Sequence, residues 1–260
     1  MTANTAGGRS GVDANTVLAS IQTFDPAAGC DAATFQPCSD KALASLKVYI
    51  DSFRSIYSIN KGISSNQPVA TGRYAEDVYM GGNVSPSSPS SMPHVLILSQ
   101  PWYLCTAAVS EQLYDALIVW ARQGSITVTD ISLAFFQQFL ASVRPGTYDS
   151  STPTFSTLTS QIRLYADGFL SVVAEYTPKD GGLAEQFGRN DGKPLSAVDL
   201  TWNYAAALTA FAARNLTVPV SWGAKGLVVP SVCRKYDGPT AQVTFHVVAH
   251  TVWGGESSRD

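Results

Sequence analysis

Apolar residues return every three or four positions along several long stretches of the chain, which predicts amphipathic helices. Ser39 stands ahead of Leu43, Leu46, Ile50, Phe53 and Tyr57, so a capped, core-facing helix of about five turns is expected there. Pro101 opens a second series through Leu104, Ala108, Leu113, Leu117 and Trp120, which Gly124 ends. A shorter helix is expected over Thr129 to Leu140. A longer one over Phe155 to Tyr176 buries Ile162, Tyr165, Phe169, Val172 and Tyr176 and stops before Pro178 and Gly181-Gly182. Ser196-Ala-Val-Asp199 has capping-box spacing, with Asp in place of the usual Glu or Gln. The helix it would open continues through Trp202, Ala206, Leu208 and Phe211.

The helical segments are joined by long connections rich in Gly, Ser, Asn and aromatics, notably Thr71 to Asn83 and Asp180 to Pro194. Connections longer than helix packing requires are where a site is expected. From Ala241 the pattern changes to the alternation Ala-Gln-Val-Thr-Phe-His-Val-Val, a period-2 strand that cannot bury itself alone and so reads as the start of a second domain. Residues 84–100 are a Ser/Pro-rich stretch with a small apolar anchor. They read either as a flexible loop or as an unspliced intron translated in frame, because Val84-Ser and the terminal Gln100 can be encoded by intron-end sequences.

Of 260 residues, 45% are hydrophobic and 14% charged, so the chain can bury a core and is not disordered by composition. A net charge of −3 gives no electrostatic footprint for nucleic acid or an anionic membrane. No apolar run approaches the ~20 residues a membrane-crossing helix needs. The first residues lack a basic segment followed by an apolar one, so no signal peptide is read in the chain as written. Cys30, Cys38, Cys105 and Cys233 include no Cys-x-x-Cys, which argues against zinc-ribbon and thioredoxin-like sites. The spacing from Cys30 to Cys38 suits a short structural disulfide.

His94, His246 and His250 are the three histidines, and no nucleophile elbow, H-E-x-x-H or phosphate-binding Gly loop occurs. Neither a metal nor a cofactor is expected. Carboxylates among aromatics remain. Glu185, beside Gln186 and after a Gly pair, is either an exposed loop residue or a general base. Arg73-Tyr-Ala-Glu-Asp-Val-Tyr79 brings a guanidinium, two acids and two phenols together, which suits sugar hydroxyls and C–H faces or, equally, a surface loop with an internal ion pair. Trp102 and Trp202 read as core.

The stretches Thr23-Phe-Asp-Pro-Ala-Ala-Gly-Cys, Thr34-Phe-Gln-Pro-Cys-Ser, Asp51-Ser-Phe-Arg-Ser-Ile-Tyr, Gly72-Arg-Tyr-Ala-Glu-Asp-Val-Tyr, Pro101-Trp-Tyr-Leu-Cys, Glu111-Gln-Leu-Tyr-Asp-Ala-Leu and Leu183-Ala-Glu-Gln-Phe resemble fungal glucoamylases of glycoside hydrolase family 15. The resemblance covers roughly Gly7 to Asn83 and Pro101 to Trp222. It implies an all-α fold, an incomplete (α/α)6 barrel (a six-hairpin toroid) followed by a short β segment at the C-terminus. It also implies release of terminal glucose from starch with inversion. Glu185 then corresponds to the general base, Arg73 and Asp77 to the groups that hydrogen-bond the terminal glucose, and Tyr79, Trp102 and Gln186 to further substrate contacts. Cys30 and Cys38 correspond to a disulfide of the family, and Cys105 and Cys233 to free thiols here.

Residues 1–222 are accordingly expected to be the C-terminal part of the catalytic domain, with 84–100 as an insert. Residues 223–240 read as a linker and 241–260 as the truncated start of a family 20 starch-binding module. The expected partners are starch and maltooligosaccharides, with neither nucleic acid nor membrane, and the full-length form is expected to be an extracellular monomer. Departures from the family pattern are Ala75 for Pro, Met80-Gly81 for Tyr-Asn, and the lack of the Trp-Glu-Glu motif that carries the general acid. The chain alone is therefore expected to be inactive. A non-catalytic carbohydrate-binding role, or a product without function, is the alternative.

Overall fold

The computed structural model describes residues 4–79 and 99–218. Six α-helices carry this part of the chain: α1 (Asn15–Gln22), α2 (Asp40–Ser52), α3 (Tyr103–Gln123), α4 (Leu133–Gln137), α5 (Pro153–Tyr176) and α6 (Thr201–Arg214). Two short antiparallel ribbons join them, β1 (Ser125–Val128) with β2 (Gly146–Asp149) and β3 (Gln186–Phe187) with β4 (Pro194–Leu195). Among the described residues no helix is long and apolar enough to cross a membrane. The strand expected after Ala241, the linker, Cys233 and most of segment 84–100 lie outside the described residues. The last two residues of that segment are described: Ser99 Oγ shares a hydrogen bond with the Tyr57 hydroxyl (2.7 Å), and Gln100 Oε1 accepts from the Arg189 N–H (2.9 Å).

The central element is α3, buried along nearly its whole length against α1, α5 and α6. Its end follows the sequence, since Gly124 adopts the left-handed conformation (φ 69°) that closes a helix C-terminus and returns its N–H to the Trp120 carbonyl. The N-termini of α2 and α5 are set by side chains. Ser39 accepts from the Ala42 N–H, and Thr152 accepts from the Phe155 N–H with Pro153 in the first turn. Helix α2 stops at Ser52, sooner than its apolar series suggests. Phe53 and Tyr57 remain buried because the chain turns and stacks the two rings at 5.3 Å.

Three further expectations are corrected. The helix read over Thr129 to Leu140 shrinks to α4, because Thr129 and Ser132 exchange side-chain to backbone hydrogen bonds that hold a turn ahead of it. Ser196 and Asp199 do not cap α6. Both residues sit at positive φ (69° and 55°), Leu200 occupies the cap position, and no side chain caps the first turn. Finally, α6 buries Asn203, Ala206, Ala210 and Ala213, while Trp202, Leu208 and Phe211 are about half exposed. Small side chains at i, i+3, i+7 and i+10 let α6 approach α3 closely, and the large residues take the opposite face.

A disulfide joins Cys30 to Cys38. Cys105 is a free, fully buried thiol that burial pushes up to about 12, which leaves it an inert core residue.

Candidate functional site

Two long connections meet at the start of α3. One is the loop 71–79, tied at its base by the Trp102 N–H donating to the Thr71 carbonyl (2.9 Å). The other carries β3, where Gln186 pairs with Trp102 and the Phe187 N–H donates to the Pro101 carbonyl (3.0 Å). Trp102 is therefore held from both sides and is buried, as the sequence reading expected of it.

Around Trp102 the polar groups are arranged tightly. Arg73 grips Asp77 with two hydrogen bonds, from Nε and Nη2, both 2.7 Å, and the Tyr79 N–H reaches the same carboxylate at 3.0 Å. Asp77 is fully buried, whereas a third of the Arg73 side chain stays exposed. Burial opposes the charge on Arg73, but the Asp77 carboxylate more than offsets it and holds the guanidinium above its usual range. That guanidinium lies 4.7 Å from the Tyr79 ring centroid and 5.0 Å from that of Trp102, and the two rings stack at 5.8 Å.

Glu185 enters this group from a residue more than a hundred positions away in sequence. It is 8% exposed, so the reading of an exposed loop glutamate does not hold. Its N–H donates to the Ala197 carbonyl (2.8 Å). Its Oε1 accepts from the Tyr79 hydroxyl (3.3 Å), and its Oε2 accepts a short hydrogen bond from Ser196 Oγ. Partial burial and then the Glu185 charge push the Tyr79 phenol up, so it stays protonated and donates. Gln186 Nε2 donates to the Tyr79 carbonyl (3.3 Å), while its Oε1 is buried without a partner among the described residues.

All six residues singled out by the sequence, Arg73, Asp77, Tyr79, Trp102, Glu185 and Gln186, are thus brought to one place. Two others were missed. Ser196 was read as a helix cap, yet it holds the carboxylate. Trp202 was read as core, yet it is half exposed and meets Trp102 edge-on at 5.9 Å. Only a long-range contact reveals either role. A cavity of about 300 Å³ opens beside Trp102 and Trp202, lined also by Arg73, Tyr74, Arg9 and Asp13. Among the described residues, no group of three or more His, Cys, Asp or Glu side chains could hold a metal ion.

Chemically, the arrangement offers a carboxylate fixed by two hydroxyl donors, beside a guanidinium–carboxylate pair and aromatic faces. Such a set can polarise water and recognise vicinal hydroxyls. Comparison with known proteins gives the family. The family model for glycosyl hydrolases family 15 matches residues 1–212. The chain is 56% identical over 258 residues to Glucoamylase-1 of Schizophyllum commune, covering 97% of this chain and 42% of that protein. It is 54% identical over 216 residues to a glucoamylase of Neurospora crassa, covering 83% of this chain and 32% of that protein. The chain thus spans about two fifths or less of the length of these relatives. Among solved structures, it superposes on the family 15 glucoamylase of Hypocrea jecorina with TM-score 0.76 at 55% identity, covering 89% of this chain and 36% of that one. The glucoamylase of Hormoconis resinae gives TM-score 0.75 at 42% identity, covering 89% and 37%. On the family match and on this structural likeness, the chain belongs to glycoside hydrolase family 15.

Proposed function

We propose that the protein carrying this chain is a glucoamylase that hydrolyses terminal α-1,4-linked glucose from starch and maltooligosaccharides with inversion, and that Glu185 is its general base. The observation that carries this reading is the setting of Glu185. It is a buried carboxylate held by Ser196 and Tyr79, beside the packed Arg73, Tyr79 and Trp102 side chains. In this role Glu185 takes a proton from the water that attacks the anomeric carbon, on the face opposite the leaving group. Tyr79 and Ser196 fix the orientation of its two oxygens. Arg73 and Asp77 bind hydroxyls of the terminal glucose, Trp102 and Tyr79 cover its apolar faces, and Gln186 supports Tyr79.

Inverting hydrolysis also needs a protonated carboxyl about 6.5–9.5 Å from the base. The sequence holds no Trp-Glu-Glu, so we assign the acid to a part of the enzyme outside this chain, and residues 1–260 alone do not turn over starch. We read the helices as part of an (α/α)6 barrel, 241–260 as the start of a starch-binding module, and the full enzyme as an extracellular monomer that needs no cofactor. We read 84–100 as an unspliced intron. Splicing would place Asn83 directly before Pro101, where Gln100 now offers its amide oxygen to Arg189. Transcript reads joining Asn83 to Pro101 support this, and full-depth reads across the segment overturn it.

The decisive variant is Glu185→Gln in the full-length enzyme. Glucose release from maltose is expected to fall about 10²–10⁴-fold, the usual contribution of a general base. Wild-type rates in the variant would remove Glu185 from the mechanism.

A further inference from the structure

We propose that Asn203 is a positioning residue, a single buried amide that fixes the segment carrying Glu185 against the start of the helix that presents Trp102. The proposal rests on Glu185 being the base.

Helix α3 begins at Tyr103, and its N-cap Trp102 has no side-chain oxygen to offer. The first N–H groups of a helix have no intrahelical partner. One of them, on Leu104, donates instead to Asn203 Oδ1 (3.0 Å), so α3 is capped by a side chain of α6. The other end of the same amide, Nδ2, donates to the carbonyl of Ala184 (2.6 Å), the residue before Glu185. The orientation of the amide follows from its partners. A backbone N–H can only donate and a carbonyl can only accept, so both hydrogen bonds exist in one flip state and neither exists in the other. Asn203 is 1% exposed, so no water replaces either bond without opening the interface.

The neighbouring bonds show what Asn203 adds. The segment from Leu183 to Phe187 is also held by the Leu183 N–H to the Tyr204 hydroxyl (3.0 Å), the Leu200 N–H to the Leu183 carbonyl (2.9 Å) and the Glu185 N–H to the Ala197 carbonyl (2.8 Å). These tie Glu185 to α6 and to the loop before it. Asn203 bonds to both the Glu185 segment and the first turn of α3 through one side chain, and the next residue back, Trp202, touches the Trp102 ring. The far end of the segment keeps its own ties to the start of α3, Gln186 pairing with Trp102 and the Phe187 N–H on the Pro101 carbonyl, so losing Asn203 frees only the near side, Ala184 and Glu185, to shift relative to Trp102. Small misplacements of a catalytic group lower the rate steeply while leaving substrate binding nearly intact.

The test compares Asn203→Ala, Asn203→Asp and, as a control for destabilisation, Ala210→Gly on the buried face of α6, all in the full-length enzyme. Turnover of maltose is read together with amide hydrogen exchange of Leu104 and of 183–187. For Asn203→Ala, kcat is expected to fall about ten-fold with KM changed less than about twofold, and exchange to rise at both places. Asn203→Asp keeps the acceptor for Leu104 but sets an oxygen against the Ala184 carbonyl. It should therefore protect Leu104 while losing kcat and the 183–187 protection. Ala210→Gly should lower the unfolding midpoint without either effect. The proposal is overturned if exchange rises with kcat unchanged, if neither changes, or if Ala210→Gly loses kcat equally. The exchange pattern decides the clamp even if Glu185→Gln shows that Glu185 is not the base.

Discussion

The pair at the centre of the site allows a quantitative expectation. Asp77 is fully buried and accepts three hydrogen bonds, two from Arg73 and one from the Tyr79 N–H. Were the pair fully exposed, removing it would cost about 0–1 kcal/mol. Were it fully buried, deleting one partner would cost about 3–5 kcal/mol, because the other charge is left stranded. Arg73 is a third exposed and partly rehydrates, so Asp77→Ala should cost about 3 kcal/mol, at the low edge of the buried range. Asp77→Asn keeps one acceptor oxygen and should cost about 2 kcal/mol, near the value of one charge-assisted hydrogen bond. Part of the Ala cost is the orphaned Tyr79 N–H, which is independent of Arg73. A double-mutant cycle with Arg73→Met removes that part and should return a coupling of about 2 kcal/mol. The assay is urea unfolding at fixed ionic strength, followed by tryptophan fluorescence. A coupling below about 0.5 kcal/mol would show that the pair behaves as a surface ion pair and would refute the assignment of Asp77 as a buried anchor for Arg73.

Two more expectations come from outside the Arg73–Asp77 pair. Asp115 on α3 is fully buried with both oxygens unpartnered among the described residues, and burial, then the Glu111 charge, pushes its carboxyl well above the ordinary range. The folded chain therefore binds this proton more tightly than the unfolded one, and the stability it contributes is present in acid and lost as pH rises past the ordinary carboxylate range. Asp115→Asn should flatten that slope and gain on wild type by up to about 1.4 kcal/mol per pH unit above about pH 4 until the folded group ionises, read from urea midpoints across pH. Parallel pH profiles for the two proteins would refute it. Gly72 precedes Arg73, and a Cβ there would sit 2.3 Å from the Tyr57 hydroxyl and 2.7 Å from the Gln100 carbonyl. In the 260-residue chain, Gly72→Ala must break the Tyr57–Ser99 hydrogen bond and overpack the base of the loop, at about 2–4 kcal/mol in all. A loss under about 0.5 kcal/mol in urea unfolding would mean that the loop gives way freely.

The sequence reads best where a local rule and the tertiary demand coincide. Helix α3 has both a continuous apolar pattern and Gly124 in a left-handed conformation that ends it, so its end and burial follow from the residues, while its start falls at Tyr103, two residues after the Pro101 that the pattern placed in the first turn. Helix α6 shows the opposite case. Its large residues, Trp202, Leu208 and Phe211, suggest a buried stripe, but alanines on the other side permit the closer approach to α3, and close approach decides which face is covered. The β ribbons were not expected, because strands of two to four residues are fixed by their partner rather than by a repeating pattern.

At the site, the cluster from Arg73 to Tyr79 is legible because its residues are neighbours in the chain, whereas the surroundings of Glu185 are not. Ser196 makes the point most sharply. Four residues with capping-box spacing predict that its hydroxyl serves the backbone of α6, a gain of about 1 kcal/mol. The left-handed backbone at Ser196 and Asp199 breaks that register and turns the same hydroxyl toward a carboxylate eleven residues earlier. Non-glycine residues at positive φ are unfavourable by about 1–3 kcal/mol at sparsely populated conformations and persist where the surroundings over-determine them. Here the surroundings include the Glu185 N–H bonded to the carbonyl of Ala197, between the two strained residues, and the Tyr204 hydroxyl bonded to Asp199. At Ser196 the departure from the local rule thus serves the carboxylate of Glu185.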